Sequence, residues 1–85
     1  MQRTGIAMQA EAYARCAWLA AWLGAQRDGD AGAARDAAAV LRRSAAWPAT
    51  AATDGGGVVA SLTAVADAAT AGDPGPVRQE VAANC

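Results

Sequence analysis

The sequence contains no histidine, no lysine and no phenylalanine, and all seven of its basic residues are arginines. Histidine is the side chain most often used for general acid–base catalysis, so its absence argues against an enzyme. A structural zinc site usually takes four cysteine or histidine ligands, and the chain has only two cysteines. We therefore predict no catalytic residues, no bound metal and no cofactor.

Charge and long apolar runs are also scarce. Charged residues make up 18% of the chain, and the net charge is −1 at pH 7. Proteins that bind nucleic acid neutralise phosphates with a basic surface, which this composition does not offer. No stretch approaches the roughly 18 apolar residues that a membrane-spanning helix needs. The partner classes left open are another protein and a second copy of this chain, with no nucleic acid and no membrane insertion.

Large apolar side chains are few as well. The hydrophobic fraction of 54% is inflated by alanine, which fills 27 of the 85 positions. A core of this size supplies only about 3–5 kcal/mol, so such a chain usually needs a covalent staple or a partner. We expect residues 1–85 to form one small helical domain, either complete or as the soluble part of a longer exported chain.

The two cysteines lie at Cys16, within the first apolar segment, and at Cys85. An even cysteine count in so short a chain predicts a disulfide, which would close a loop of roughly 70 residues and add about 4 kcal/mol. A disulfide favours an extracytoplasmic location. The first residues are too polar for the apolar core of a signal peptide, so this interpretation requires a leader or anchor outside the chain. The alternative is a cytoplasmic protein with free thiols.

Four helices separated by turns are predicted from the spacing of apolar residues. They run over about residues 5–26, 31–46, 57–71 and 74–84, and residues 48–57 are predicted to be a loop. Thr53 or Asp54 is the expected cap of the third helix.

The turns repeat a pattern. The motif Gly-Asp-x-Gly-x-x-Arg begins at Gly29 and again at Gly72, 43 residues later. In each copy the glycine suits the end of one helix, and the aspartate suits the cap of the next. The sequence therefore predicts two αα-hairpins, packed as a compact antiparallel all-α bundle of four helices with a short last helix.

The first helix carries the clearest pattern. One apolar stripe, which we expect to face the core, consists of Met8, Ala12, Cys16, Leu19 and Leu23. Glu11 and Arg15 are four residues apart at its edge, the spacing of a favourable helical ion pair.

Trp18, Trp22 and Trp47 supply most of the aromatic content, and they allow two interpretations. Trp18 and Trp22 are four residues apart beside Leu19, which favours a place in the core where alanine cannot fill space. Tryptophan is also a common anchor of protein interfaces, so the three residues are our candidate interaction patch.

These observations predict a non-catalytic structural or protein-interaction domain, extracytoplasmic and stapled by Cys16–Cys85. The alternative is a cytosolic helical adaptor or regulator with free, redox-sensitive thiols. A third hypothesis is a small apolar ligand held between alanine-lined helices, because small side chains leave room for a cavity.

Overall fold

A computed structural model of the chain describes residues 3–53 and 55–85, with side chains from residue 6 onward. Within these residues the chain forms helices and no strands. The helices are α1 (Arg3–Asp28), α2 (Ala31–Ser44), α3 (Pro48–Ala52), α4 (Val58–Thr70) and α5 (Pro74–Asn84). The four longer helices pack as the predicted all-α bundle. α2 contacts α1 and α4, and α5 contacts α4 and α1, so the two hairpins close on each other.

The turns between the paired helices form as their residues predict. Gly29 and Gly72 have φ angles of 71° and 78°, the left-handed backbone that glycine adopts without steric cost. The next residues, Asp30 and Asp73, each accept a hydrogen bond of 3.0 Å from a backbone N–H in the first turn of the following helix. Each capping carboxylate satisfies a helix N–H that has no partner within the helix.

The core lies between α1, α2, α4 and α5, and alanine supplies much of it. Its largest member is Trp22, which is 0% exposed and belongs to the same buried cluster as Leu19, Leu41 and Val77. The indole Nε1 of Trp22 has no hydrogen-bond partner in the described part of the chain. Trp22 therefore contributes through its volume, filling space that the surrounding methyl groups leave open.

α3 corrects the predicted loop over 48–57. Pro48 occupies the first position of α3, where a missing N–H costs nothing, and Trp47 before it is extended, as residues before proline generally are. A helix of five residues is too short to be stable alone, and its sequence carries no capping side chain of its own. Contacts from another helix are needed to hold it.

The expected cap of the third long helix is also corrected. The residue before α4 is Gly57, which makes no side-chain capping bond, whereas Thr53 ends α3 instead. Asp54, the other candidate, lies outside the described residues. The physical reason for the difference is that α3 forms. Thr53 is the residue that ends α3, and the glycines after it connect α3 to α4.

Replacing Trp22 by alanine should lower the free energy of unfolding by about 3–5 kcal/mol, which is as much as the whole core of such a domain supplies. Trp18 is the matched control, since it lies one turn earlier on the same helix and is 38% exposed. The Trp18→Ala variant should lose about 1–2 kcal/mol and remain folded. Circular dichroism melts would measure both, and equal stability of the two variants would contradict the assignment of Trp22 as the core's main filler.

Candidate functional site

A cluster of polar side chains joins α1 to α3, and we call it the polar joint: Glu11, Arg15, Ser44 and Thr50. The carboxylate of Glu11 accepts hydrogen bonds from the backbone N–H groups of Ala49 and Thr50, at 2.9 and 2.8 Å, and from the Thr50 hydroxyl at 2.7 Å. Those two amides belong to the first turn of α3, which has no side-chain cap of its own. Glu11 therefore caps α3 from a different helix.

Arg15 completes the polar joint from the next turn of α1. Its guanidinium donates to the hydroxyl and to the carbonyl oxygen of Ser44, both at 3.0 Å, and to the Thr50 hydroxyl at 2.7 Å. The Arg15 Cζ also lies 5.4 Å from the centre of the Trp47 ring, within the range of a cation–π contact. Ser44 and Thr50 are both buried. One arginine thus ties α1 to the end of α2 and to α3.

The two charged groups of the joint influence each other. Burial raises the pKa of the Glu11 carboxyl, but the hydrogen bonds from Thr50 and Ala49 and the charge of Arg15 lower it, and the pKa lies below its ordinary value. Burial lowers the pKa of Arg15, while Glu11 and Glu80 act in the opposite direction. The predicted Glu11–Arg15 ion pair is not formed by direct contact, since the salt bridges between described residues are Arg27–Asp28 and Arg42–Asp67. The two side chains instead meet on the Thr50 hydroxyl, and their charges attract each other across it.

This geometry makes the polar joint a structural device. The Glu11 oxygens are occupied by three donors, and a lowered pKa makes the carboxylate a weak base. The described residues contain no group of histidine, cysteine or acidic side chains arranged to hold a metal ion. What the joint does chemically is fix three helices through charge-assisted hydrogen bonds.

The two cysteines meet as the sequence predicts. Cys16 lies on α1 and Cys85 follows α5, their sulfur atoms are at disulfide-bonding distance, and their Cα atoms are 5.8 Å apart. A surface depression of about 520 Å³ lies beside this pair. It is lined by Gln9, Ala12, Tyr13, Cys16, Ala17, Asn84 and Cys85.

Between residues 6 and 26, the side of α1 turned away from the bundle carries no charge. We call it the outer face, consisting of Ile6, Ala10, Tyr13 and Ala17, which are spaced by four, three and four residues and all exposed. Tyr13 is 81% exposed and Ile6 is 53% exposed. Between residues 6 and 26 the only charged residues are Glu11 and Arg15, and both turn inward to the polar joint. An uncharged, largely apolar surface is left facing solvent.

The three tryptophans are placed differently from one another. Trp22 is fully buried, Trp47 is half-buried against Arg15, and Trp18 is partly exposed. Trp22 therefore cannot belong to an interaction patch, and of the two interpretations its core position fits the structure. The most exposed aromatic residue is Tyr13, which the sequence analysis did not single out. The signal in the sequence that could have identified Tyr13 is its helical spacing with Ile6, Ala10 and Ala17, which places the four residues on one face of α1.

The predicted inner stripe of α1 is partly correct. Leu19 is buried and Leu23, Cys16 and Met8 are half-buried, but Ala12 is exposed. Close to Ala12, α1 contacts the short α3 through Glu11 and the residue after α5 through Cys16, and neither neighbour covers Ala12.

No family model, curated protein or solved structure matches this chain. Among the described residues, no helix combines the length and the apolar character that crossing a membrane requires. The site is therefore interpreted from its own geometry.

Loss of the Cys16–Cys85 bond should destabilise the fold strongly. The two residues are 69 positions apart in the sequence, and releasing so long a loop should cost about 4 kcal/mol and lower the melting temperature by more than about 15 °C. Thermal melts with and without reductant measure the effect. A double Cys16→Ser, Cys85→Ser variant should melt like the reduced protein and not respond to reductant. Equal melting temperatures of the oxidised and reduced protein would contradict a stabilising role for the disulfide.

The Glu11 cap should make stability depend on pH. Because the pKa of Glu11 is lowered in the folded chain, its contribution is complete above the ordinary glutamate value of about 4.3 and is lost as the pH falls through the lowered pKa. At neutral pH, Glu11→Gln should cost about 1 kcal/mol, reduced by the partial exposure of the carboxylate. Urea unfolding of both proteins from pH 7 to pH 3 should show this difference shrink.

The matched control for Glu11 is Asp36→Asn, which removes the same charge from an exposed position on α2. It should leave stability within about 0.5 kcal/mol of the parent. A Glu11→Gln difference that stayed constant down to pH 3 would show that the cap does not depend on the carboxylate charge.

Proposed function

We propose that this chain is a non-catalytic, extracytoplasmic structural module, stapled by the Cys16–Cys85 disulfide, that self-associates through the outer face of α1. The observation that carries the proposal is the absence of charge from this face over about three turns of helix, together with the strongly exposed Tyr13. A contiguous apolar patch exposed on a helix often marks a site of contact with another protein. The described chain covers only one side of α1.

The character of the outer face supports a protein partner. Tyrosine is enriched among the residues that dominate binding energy at interfaces, because it buries a large area at a small entropic cost. The neighbouring Ala10 and Ala17 have only methyl side chains, which allow a second helix to approach closely. Tyr13 projects between them as the natural anchor.

The shape of the same face favours a second copy as that partner. Tyr13 projects at the edge of the 520 Å³ depression beside Cys16 and Cys85. In a dimer with two-fold symmetry, the same patch serves both subunits, so each Tyr13 can enter the depression of the other copy. The side chains of the outer face and of the depression are uncharged, so their contact creates no repulsion between like charged side chains.

The cysteine pair supports the proposed location. A bond joining α1 to the residue after α5 offsets the weakness of an alanine-rich core, and such bonds persist in oxidising compartments. The alternative, a cytosolic adaptor with free thiols, predicts that protein isolated without exposure to oxidant is fully alkylated. Intact mass after alkylation of freshly lysed cells separates the two.

Self-association is tested by placing a charge in the outer face. Sedimentation velocity should detect dimers of the parent chain that increase with concentration, and Ala17→Arg should remain monomeric with unchanged helicity because it would bury an unpaired guanidinium. Ala60→Arg on the exposed side of α4 adds the same charge elsewhere and should behave as the parent does. A parent chain that is monomeric at every concentration would overturn self-association and leave a different protein as the partner of this face.

A further inference from the structure

A second surface feature lies on the opposite side of α2 from the polar joint. It is a groove of about 490 Å³ between α2 and the C-terminal ends of α1 and α4, and we call it the arginine groove. Its floor is apolar, made by the buried Ala34, Ala38 and Ala69. Its rim carries Arg35, Arg42 and Arg43, all from α2.

The groove exists because the facing side chains are too small to fill it. Where α2 passes the end of α4, both helices contribute alanine, and Gly72 follows without a side chain. The amide of Gln26 donates to the carbonyl oxygen of Gly72 at 3.3 Å, which holds the ends of α1 and α4 together at one end of the groove. The opening is thus framed by fixed helices.

The charge of the rim is unusual for this protein. The residues lining the groove include three arginines and no acidic side chain, in a chain whose net charge is −1. Arg42 is partly neutralised, since it donates to Asp67 at 2.7 Å. Arg35 and Arg43 are exposed, and neither forms an ion pair with the described residues. At least two cations therefore remain available beside an apolar floor.

We propose that the arginine groove binds a small amphipathic carboxylate, with its apolar body on the alanine floor and its carboxylate on Arg35 or Arg43. The volume lies within the roughly 300–1,000 Å³ of small-molecule sites, and such sites combine apolar walls with a few polar groups that orient the ligand. The planar guanidinium matches a carboxylate through paired hydrogen bonds. This ligand is anionic, unlike the purely apolar ligand that the alanine content alone suggested.

The direct test uses octanoate, octanol and inorganic phosphate as probes of the full chain. Nuclear magnetic resonance titration should show saturable shifts at the backbone amides around Ala38 and Ala39 with octanoate. Octanol should bind at least about tenfold more weakly because it lacks the charge-assisted hydrogen bonds, and phosphate should be similarly weak because it lacks the apolar body. Equal binding of octanoate and octanol, equal binding of octanoate and phosphate, or no saturable shift in this region would each overturn the proposal.

Two variants locate the ligand within the groove. Ala39→Leu adds bulk from an exposed lining position, so it should abolish binding while the protein stays folded. The pair Arg35→Gln, Arg43→Gln should weaken octanoate binding at least about tenfold and leave octanol unchanged.

The matched charge control is Arg27→Gln with Arg78→Gln, which removes two exposed arginines that do not line the groove. This control should bind octanoate as the parent does. An equal loss of octanoate affinity in both double variants would show that only the overall charge matters, and it would overturn the proposal. The outer face of α1 is unchanged in all of these variants, so the outcome does not depend on self-association.

Discussion

The rest of the structure depends on the hydrogen bonds that Glu11 and Arg15 make on the inward side of α1. These side chains hold a five-residue helix that has no cap of its own, and they tie α1 to the end of α2. Because both side chains face inward, neither of their charges lies on the outward side of α1. One arrangement therefore stabilises the end of the bundle and leaves an uncharged surface, which is the feature that our functional proposal uses.

The scarcity of large side chains is the second constraint. Where Trp22 is present, the methyl groups around it pack into a closed core. Where alanine faces alanine, between α2 and the end of α4, the helices leave a groove with arginines on its rim. A core this small gains little from burial, which gives the Cys16–Cys85 link a large share of the stability. Core, groove and staple thus follow from the same composition.

Much of the fold followed from local patterns, because helix periodicity and the residues at turns act within a few positions of the chain. The glycine–aspartate turns at Gly29 and Gly72 and the order of the four longer helices were predicted from such signals. α3 was not, because its first turn is capped by Glu11, which lies almost forty residues earlier. Tyr13 was missed for a related reason, since its exposure depends on which side of α1 the other helices cover.

The sequence by itself indicated the four longer helices, the capped turns at Gly29 and Gly72, the pairing of the two cysteines and the scarcity of large side chains in the core. Tertiary structure alone decided three further matters: that Glu11 and Arg15 face inward, that Trp22 is enclosed while Trp18 is partly exposed, and that the arginines of α2 border an open groove. The physical reason is the range of the interactions. Backbone preferences act between neighbours in the chain, whereas burial and charge pairing depend on which helices meet.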